Sequence, residues 1–351
     1  MAGRIVVAGA GAIGASVAYH LAELGARDVV LSDVGEIASG ATGRAMGGVR
    51  QQFSTTPEVK LAQASIAFFR TLPPELFRQV GYLFLATSDE GLAQLRERAD
   101  LQRSLGVPVQ ECDASEVAGL RVDDVLGAVV CREDGVADPP AVARELVRRA
   151  ADRGVKVLER TDARALDADT LVIACGWQSA EVAAARGVTL PIRPLCRQLV
   201  EVGPLDNLPD ELPMVLEEET GFHFRRRDAY LRLAWREPTP RWTHEQVVDE
   251  SLVPEWLERL AYRYPPAAGA PLAQAWAGLY DMTPDAHPII GRVGDGVIVA
   301  AGFSGHGFMQ SPAVGLAVAK LALDEEPPFD LTPYAPERFE LGALFPEELV
   351  L

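Results

Sequence analysis

Lysine is nearly missing from this chain. Only Lys60, Lys156 and Lys320 occur, and arginine carries almost all of the positive charge. We read that as a bias of composition with little functional weight. Positive charge as a whole is also short, with a net charge of −17 at pH 7. A general nucleic-acid binder needs basic patches for phosphate, so nucleic acid is not an expected partner. Adhesion to an anionic membrane is disfavoured for the same reason. The four cysteines, Cys112, Cys131, Cys175 and Cys196, show no CxxC spacing and no nearby histidine. Neither a metal site nor a disulfide framework is expected; buried thiols fit better. No apolar run reaches membrane-spanning length. The opening MAGRIVVAGAG lacks the basic start, apolar run and cleavage site of a signal peptide. A cytoplasmic, reducing setting is therefore expected. Internal repeats, heptads and low-complexity tracts are missing as well. So is any Pro/Gly/Ser linker, which predicts several chain crossings between two domains.

What is present begins with a βαβ unit. RIVVA (4–8) reads as a buried strand, GAGAIG as a turn, and AIGASVAYHLAELG as a helix stopped by Gly25. DVVLSD is the second strand, ending at Asp33. Gly9, Gly11 and Gly14 form GxGxxG in the right context. Gly9 permits the tight turn, Gly11 admits a pyrophosphate, and Gly14 lets the helix pack on the sheet. The helix N-terminus offers N–H groups to phosphate. Asp33 is placed to accept hydrogen bonds from ribose hydroxyls, and it disfavours a 2′-phosphate. The motif alone does not choose between NAD and FAD. Residues 35–53 form a long small-residue loop, and TLVIACGWQS (171–179 with Thr170) ends another strand at Gly176. Both suit a cofactor that extends further across the protein.

Helices are predicted around 57–71, 90–106, 138–154 and 251–264, with Asp138 capping the third. From 193 to 277 the pattern turns to antiparallel strands: RQLVEV, PMVLEEETG, FHFRRRD and AYLRLAWRE. The tail returns to GVIVAAGFSGHG and a helix after Pro312. The N-terminus of that helix is a site for negative charge, and the backbone N–H groups of Gly305, His306, Gly307 and Phe308 are its candidate donors. The fold class is thus α/β plus antiparallel β, a dinucleotide-binding domain interleaved with a second domain.

At this point the chain resembles a known family. VVAGAGAIGASVAYHLAELG…VVLSD, IASGATGRAMGGVRQQ, VIACGWQS, DMTPDAHPIIGRV and VIVAAGFSGHGFMQSPAVG together look like the D-amino-acid-oxidase-type FAD-dependent oxidoreductases. The nearest branch is that of sarcosine oxidase, glycine oxidase and the proline dehydrogenase β-subunit. The resemblance implies an FAD-binding Rossmann-like domain (1–80, 130–192 and 278–351). It also implies a mixed-sheet substrate domain (81–129 and 193–277) over the flavin. The implied activity is oxidation of an amine next to a carboxylate: hydride passes to flavin N5 and the imine hydrolyses. Gly9, Gly11, Gly14 and Asp33 are then expected at the ADP half. Ser39, Gly40, Ala41, Thr42, Gly47 and Gly48 are expected at pyrophosphate and ribityl, and Ala174, Gly176 and Trp177 at the cofactor midpoint. Gly305, His306, Gly307 and Phe308 are expected at the flavin, with Arg50 near its face.

The departures from the family are specific. Gly278 stands where monomeric sarcosine oxidases carry the cysteine bonded to flavin, so FAD is expected to be non-covalent. Met309 stands where they carry a lysine that holds the substrate carboxylate, so an arginine must do that work or the substrate differs. Arg232 aligns loosely with a second lysine near N5. Arg232 and Arg236 share a sheet face, and with His223 and Tyr280 they are candidates for a substrate pocket. A solvated face is the competing reading, and the preferred one for Arg225–Arg227 and for the EEE at 217–219. His287 reads as structural. The expected function is FAD-dependent oxidation of a small amino acid or N-alkyl amino acid. The alternatives are a β-like subunit passing electrons to a partner, a non-catalytic flavin-binding protein, and an NAD-dependent dehydrogenase. A homo-oligomer or a partner subunit for electron transfer also stays open.

Overall fold

The computed structural model describes residues 3–347. Its first layer is a six-stranded sheet in the order Ile289–Gly294, Val297–Ala301, Thr170–Ile173, Ile5–Ala8, Val29–Ser32, Lys156–Leu158. All neighbours run parallel except the first pair, where Ile289–Gly294 is antiparallel to Val297–Ala301. The central strands are uniformly apolar because helices cover them. The helix Ala12–Glu23 packs on one face, with Val17, Ala18 and Leu21 fully buried. The helix Gly307–Ala322 lies against it. A Cβ at Gly315 would stand 2.1 Å from Ser16 Oγ, so only glycine allows that approach. Two helix N-termini, one from each end of the chain, thus lie past the carboxyl ends of the strands Ile5–Ala8 and Val297–Ala301.

The second layer is a nine-stranded mixed sheet. Its long pair is Arg193–Val202 with Leu272–Met282, antiparallel. Tyr230–Ala234, His223–Arg227 and Met214–Glu217 follow, and Met214–Glu217 then pairs in parallel with Tyr82–Ala86. Period-2 alternation sorts the faces. Val200, Val202, Phe222, Phe224, Leu231 and Leu233 pack with Trp256 and Leu260 of the helix Val253–Arg263. Arg197, Glu201, His223, Arg225 and Arg232 therefore face the first layer. A three-stranded sheet, Gly48–Val49, Gly135–Ala137 and Phe77–Arg78, bridges the layers.

The strands Gly127–Cys131 and Leu272–Met282 run through the expected boundaries at 129/130 and 277/278. The helix expected after Pro312 begins at Gly307, and Pro312 lies in its interior. Proline removes one N–H donor. Ser311 Oγ bonds the Phe308 carbonyl at 2.8 Å, the group that residue 312 would have reached. The acidic run is engaged rather than simply solvated, with Glu219 alone exposed. Glu217 is buried on Arg259 and Arg263, Glu218 pairs with Arg98, and Glu219 accepts the N–H groups of Thr87 and Ser88. No helix among the described residues is long and apolar enough to cross a membrane.

Candidate active site and cofactor cavity

A cavity of about 530 Å³ lies between the two large sheets and is lined from both ends of the chain. One end is the turn after Ile5–Ala8. Gly9 has φ +99°, and a Cβ there would stand 2.3 Å from the Ala174 carbonyl oxygen. A Cβ at Gly14 would stand 1.8 Å from the Gly9 carbonyl oxygen. Gly14 therefore packs the helix on the turn and does not line the cavity. Asp33 accepts the Ala10 N–H at 2.6 Å and the Gly35 N–H at 2.7 Å, which fixes the turn beside it. Thr42 Oγ1 accepts the Ala12 N–H at 2.9 Å, bringing the loop onto the helix N-terminus.

The middle is lined by Ser39, Gly40, Ala41 and Thr42, by the loop 44–48, and by Ala174, Gly176 and Trp177. Trp177 meets His244 edge-on, with ring centroids 5.0 Å apart. Gly278 also lines this stretch.

The far end is the turn 302–309. The half-buried Asp281 carboxylate accepts the Gly302 N–H at 2.7 Å, and desolvation raises its pKa to about 6 against the pull of the surrounding N–H groups. Gly305 has φ +97°, and a Cβ there would stand 2.4 Å from the Tyr280 ring. The His306 N–H donates to the Phe303 carbonyl at 2.9 Å, so it is not a donor toward the cavity. Of the expected donors, Gly307 and Phe308 lie in the first turn of the helix, with Met309 next. These are the first three N–H groups of the helix and lie beyond reach of its own carbonyls.

Of the side chains expected at the flavin face or the substrate pocket, Arg50, His223, Tyr280 and His306 line the cavity. Arg50 is 1% exposed, stacks 4.1 Å from the Phe53 centroid, and has Nη2 3.5 Å from His306 Nε2. Burial lowers its pKa, yet a guanidinium stays charged at neutral pH. His223 Nδ1 lies 2.8 Å from the Gly221 carbonyl. A carbonyl only accepts, so Nδ1 carries the proton and Nε2 presents a lone pair. Burial, reinforced by Arg50, Arg236 and Arg197, lowers the His223 pKa to about 4. Burial also raises the Tyr280 pKa, keeping the phenol neutral.

Arg232 is not part of the lining. It is buried on Glu201 at 3.1 Å, with Nη1 on the Ala45 carbonyl. Arg236 lies past the end of its strand, against Gly221. Arg225 is buried rather than solvated, bonded to the carbonyls of Met46 and Ala137. His287 is a buried tie, with Nδ1 on Glu58 at 2.8 Å and Nε2 on the Phe345 carbonyl at 2.5 Å. A charged lining residue that sequence reasoning passed over is Arg197, paired with Glu237 at 2.5 Å. The available signal was an arginine at the alternate position between Leu195 and Leu199, on one face of a strand.

Comparisons with known proteins agree with this geometry. The family model described as DAO, FAD dependent oxidoreductase, matches residues 4–321. The chain is 27% identical to 4-methylaminobutanoate oxidase (formaldehyde-forming) of Paenarthrobacter nicotinovorans, over 96% of this chain and 45% of that protein. It thus spans less than half of that relative. It is 29% identical to glycine oxidase of Geobacillus kaustophilus, over 94% of this chain and 96% of that one. Among solved structures, L-proline dehydrogenase from P. horikoshii superposes with a TM-score of 0.91 at 28% identity, covering 97% of this chain and 99% of that one. A turn that can receive a pyrophosphate, a long cavity and a second helix N-terminus at its far end are what such a match requires: the chain belongs to the DAO family of FAD-dependent oxidoreductases, and FAD is its cofactor.

Proposed function

We propose that this chain oxidises a small amino acid or N-alkyl amino acid, with non-covalent FAD as the first electron acceptor. The observation that carries the reading is the far end of the cavity. There the buried cation Arg50, with Arg197 nearby, faces a neutral histidine and the N-terminus of the helix Gly307–Ala322.

The residues present fit FAD. A Cβ at Gly40 or Gly176 would meet nothing within 4 Å, and one at Gly11 only Thr42 Oγ1 at 3.2 Å. The backbone along the cavity is therefore open for close approach. Gly9, Gly11 and Asp33 would hold the ADP half, 39–48 and 174–177 the linking chain, and Gly307, Phe308 and Met309 the ring. Bound there, FAD supplies the two-electron acceptor. Gly278 offers no thiol for a covalent link.

The chain's own side chains supply binding and charge. Arg50 and Arg197 take the substrate carboxylate. His223 Nε2 accepts an N–H of the substrate amine and so orients it. The positive surroundings lower the pKa of the bound amine, favouring the neutral form that can react, with no dedicated base. Met309, in place of a lysine, leaves the carboxylate to the arginines. The relatives named above act on amines that sit on carboxylate-bearing molecules, which supports this class without choosing a member.

A second reading is a subunit that passes electrons to a protein partner, favoured by the likeness to L-proline dehydrogenase. The test is anaerobic bleaching of the purified yellow chain by sarcosine, glycine, proline, D-amino acids and longer N-alkyl amino acids. Bleaching by one of them supports the proposal, and none bleaching it counts against it. Rapid peroxide formation on admitting air selects the oxidase over the partner-dependent form.

A further inference from the structure

Three consecutive carbonyls of the loop that lines the cavity are each held by a side chain of the large sheet. The Arg44 carbonyl accepts from Trp276 Nε1 at 3.1 Å, that of Ala45 from Arg232 Nη1 at 3.0 Å, and that of Met46 from Arg225 Nε at 2.6 Å. Arg44, Ala45 and Met46 line the cavity, whereas Trp276, Arg232 and Arg225 do not. The three donors stand on three strands, Leu272–Met282, Tyr230–Ala234 and His223–Arg227.

The donors are themselves fixed. Arg232 is held by Glu201 and stacks 4.7 Å from the Trp276 ring centroid. Arg225 spans from Met46 to the Ala137 carbonyl at 3.2 Å. Burial lowers the pKa of both arginines, so placing them here has a desolvation cost. Water would satisfy loop carbonyls without that cost. The short 3-10 helix Ala41–Arg44 has no buried residue, although Met46 packs against the core cluster that holds Tyr82 and Met214 and Thr42 Oγ1 accepts the Ala12 N–H. The three carbonyls of 44–46 are thus held from the substrate-side sheet.

We propose that Trp276, Arg232 and Arg225 form a clamp of positioning residues for FAD. They hold 44–46 in the shape that receives the cofactor, so affinity for FAD depends on the domain across the cavity from the GxGxxG turn. This rests on FAD being the cofactor and not on the substrate assignment, and the test needs no substrate to read its main result.

Two variants of the full chain separate the clamp from general stability. Trp276→Phe removes one N–H and keeps an aromatic ring against Arg232. Arg232→Met with Glu201→Gln removes the ion pair together and leaves no orphaned carboxylate. Dissociation constants for FAD are measured by titration of the apoprotein, with apoprotein melting in parallel. The expected result is a rise in Kd of about 3- to 10-fold for Trp276→Phe and about 10- to 100-fold for the double variant. Turnover at saturating FAD should stay within about twofold, the scatter of a substitution outside the site. An FAD Kd unchanged in both variants overturns the clamp, as does a lower melting temperature with unchanged Kd. Should the double variant not fold, Trp276→Phe decides alone.

Discussion

Replacing Arg50 with methionine keeps most of the side-chain stem and removes the guanidinium. In the native site that group lies over Phe53 at 4.1 Å, beside His306, with one N–H on the Gln52 carbonyl. It is 1% exposed, so water cannot substitute for it. A charge-assisted hydrogen bond to a carboxylate in such a place contributes about 1.5–3 kcal/mol. That is about a 10- to 150-fold loss of substrate affinity. Arg50→Lys keeps the charge but not the planar fork, and should fall between the two. The assay is anaerobic mixing of holoenzyme with substrate, reading the apparent Kd and limiting rate of flavin bleaching separately. The loss should appear chiefly in the apparent Kd. A methionine variant with full FAD content and native apparent Kd would refute the reasoning, because the carboxylate would then be held elsewhere.

Gly14→Ala places a methyl 1.8 Å from the Gly9 carbonyl oxygen. It should cost about 3 kcal/mol and yield colourless protein with a lowered melting temperature; yellow protein that melts normally contradicts it. His223, neutral until about pH 4 in the folded chain but only to 6.5 in a model peptide, makes the folded state harder to protonate. Its contribution to stability is therefore lost as pH falls from 6.5 to 4, by up to roughly 3 kcal/mol. Asp134 and Asp281, both raised to about 6 by burial, act oppositely over nearly the same range. The difference between native and His223→Gln urea unfolding at pH 4.5 and 7 isolates the histidine, and an equal pH response in both proteins sinks the claim. Acid precipitation should leave all flavin in the supernatant, since Gly278 has no thiol; a yellow pellet would show a covalent bond.

The βαβ unit was legible because every signal in it is local: an apolar strand, glycines at fixed offsets, a helical period and an acidic strand end. The cap at Asp138, accepting the Ala141 N–H at 3.0 Å, was legible for the same reason. The start of the helix Gly307–Ala322 was not. Pro312 reads as a first-turn residue until Ser311 is seen to take over the carbonyl it strands. Buried charge was the larger blind spot. Glu217, Arg225 and Arg232 look solvated in a charged run, and their partners lie 42, 179 and 31 residues away. The cavity could be anticipated from its two glycine-rich ends, but the choice of Arg197 over Arg232 depends on which strand faces the turn 302–309. The parallel pairing of Tyr82–Ala86 with Met214–Glu217 joins segments that no local pattern connects.

The most direct measurement is a crystal structure of the FAD-loaded chain with a small carboxylate inhibitor bound. The account predicts the flavin ring against Gly305–Met309, with the carboxylate on Arg50 and Arg197. A ring lying away from residues 302–309, or a carboxylate held by neither arginine, would contradict it.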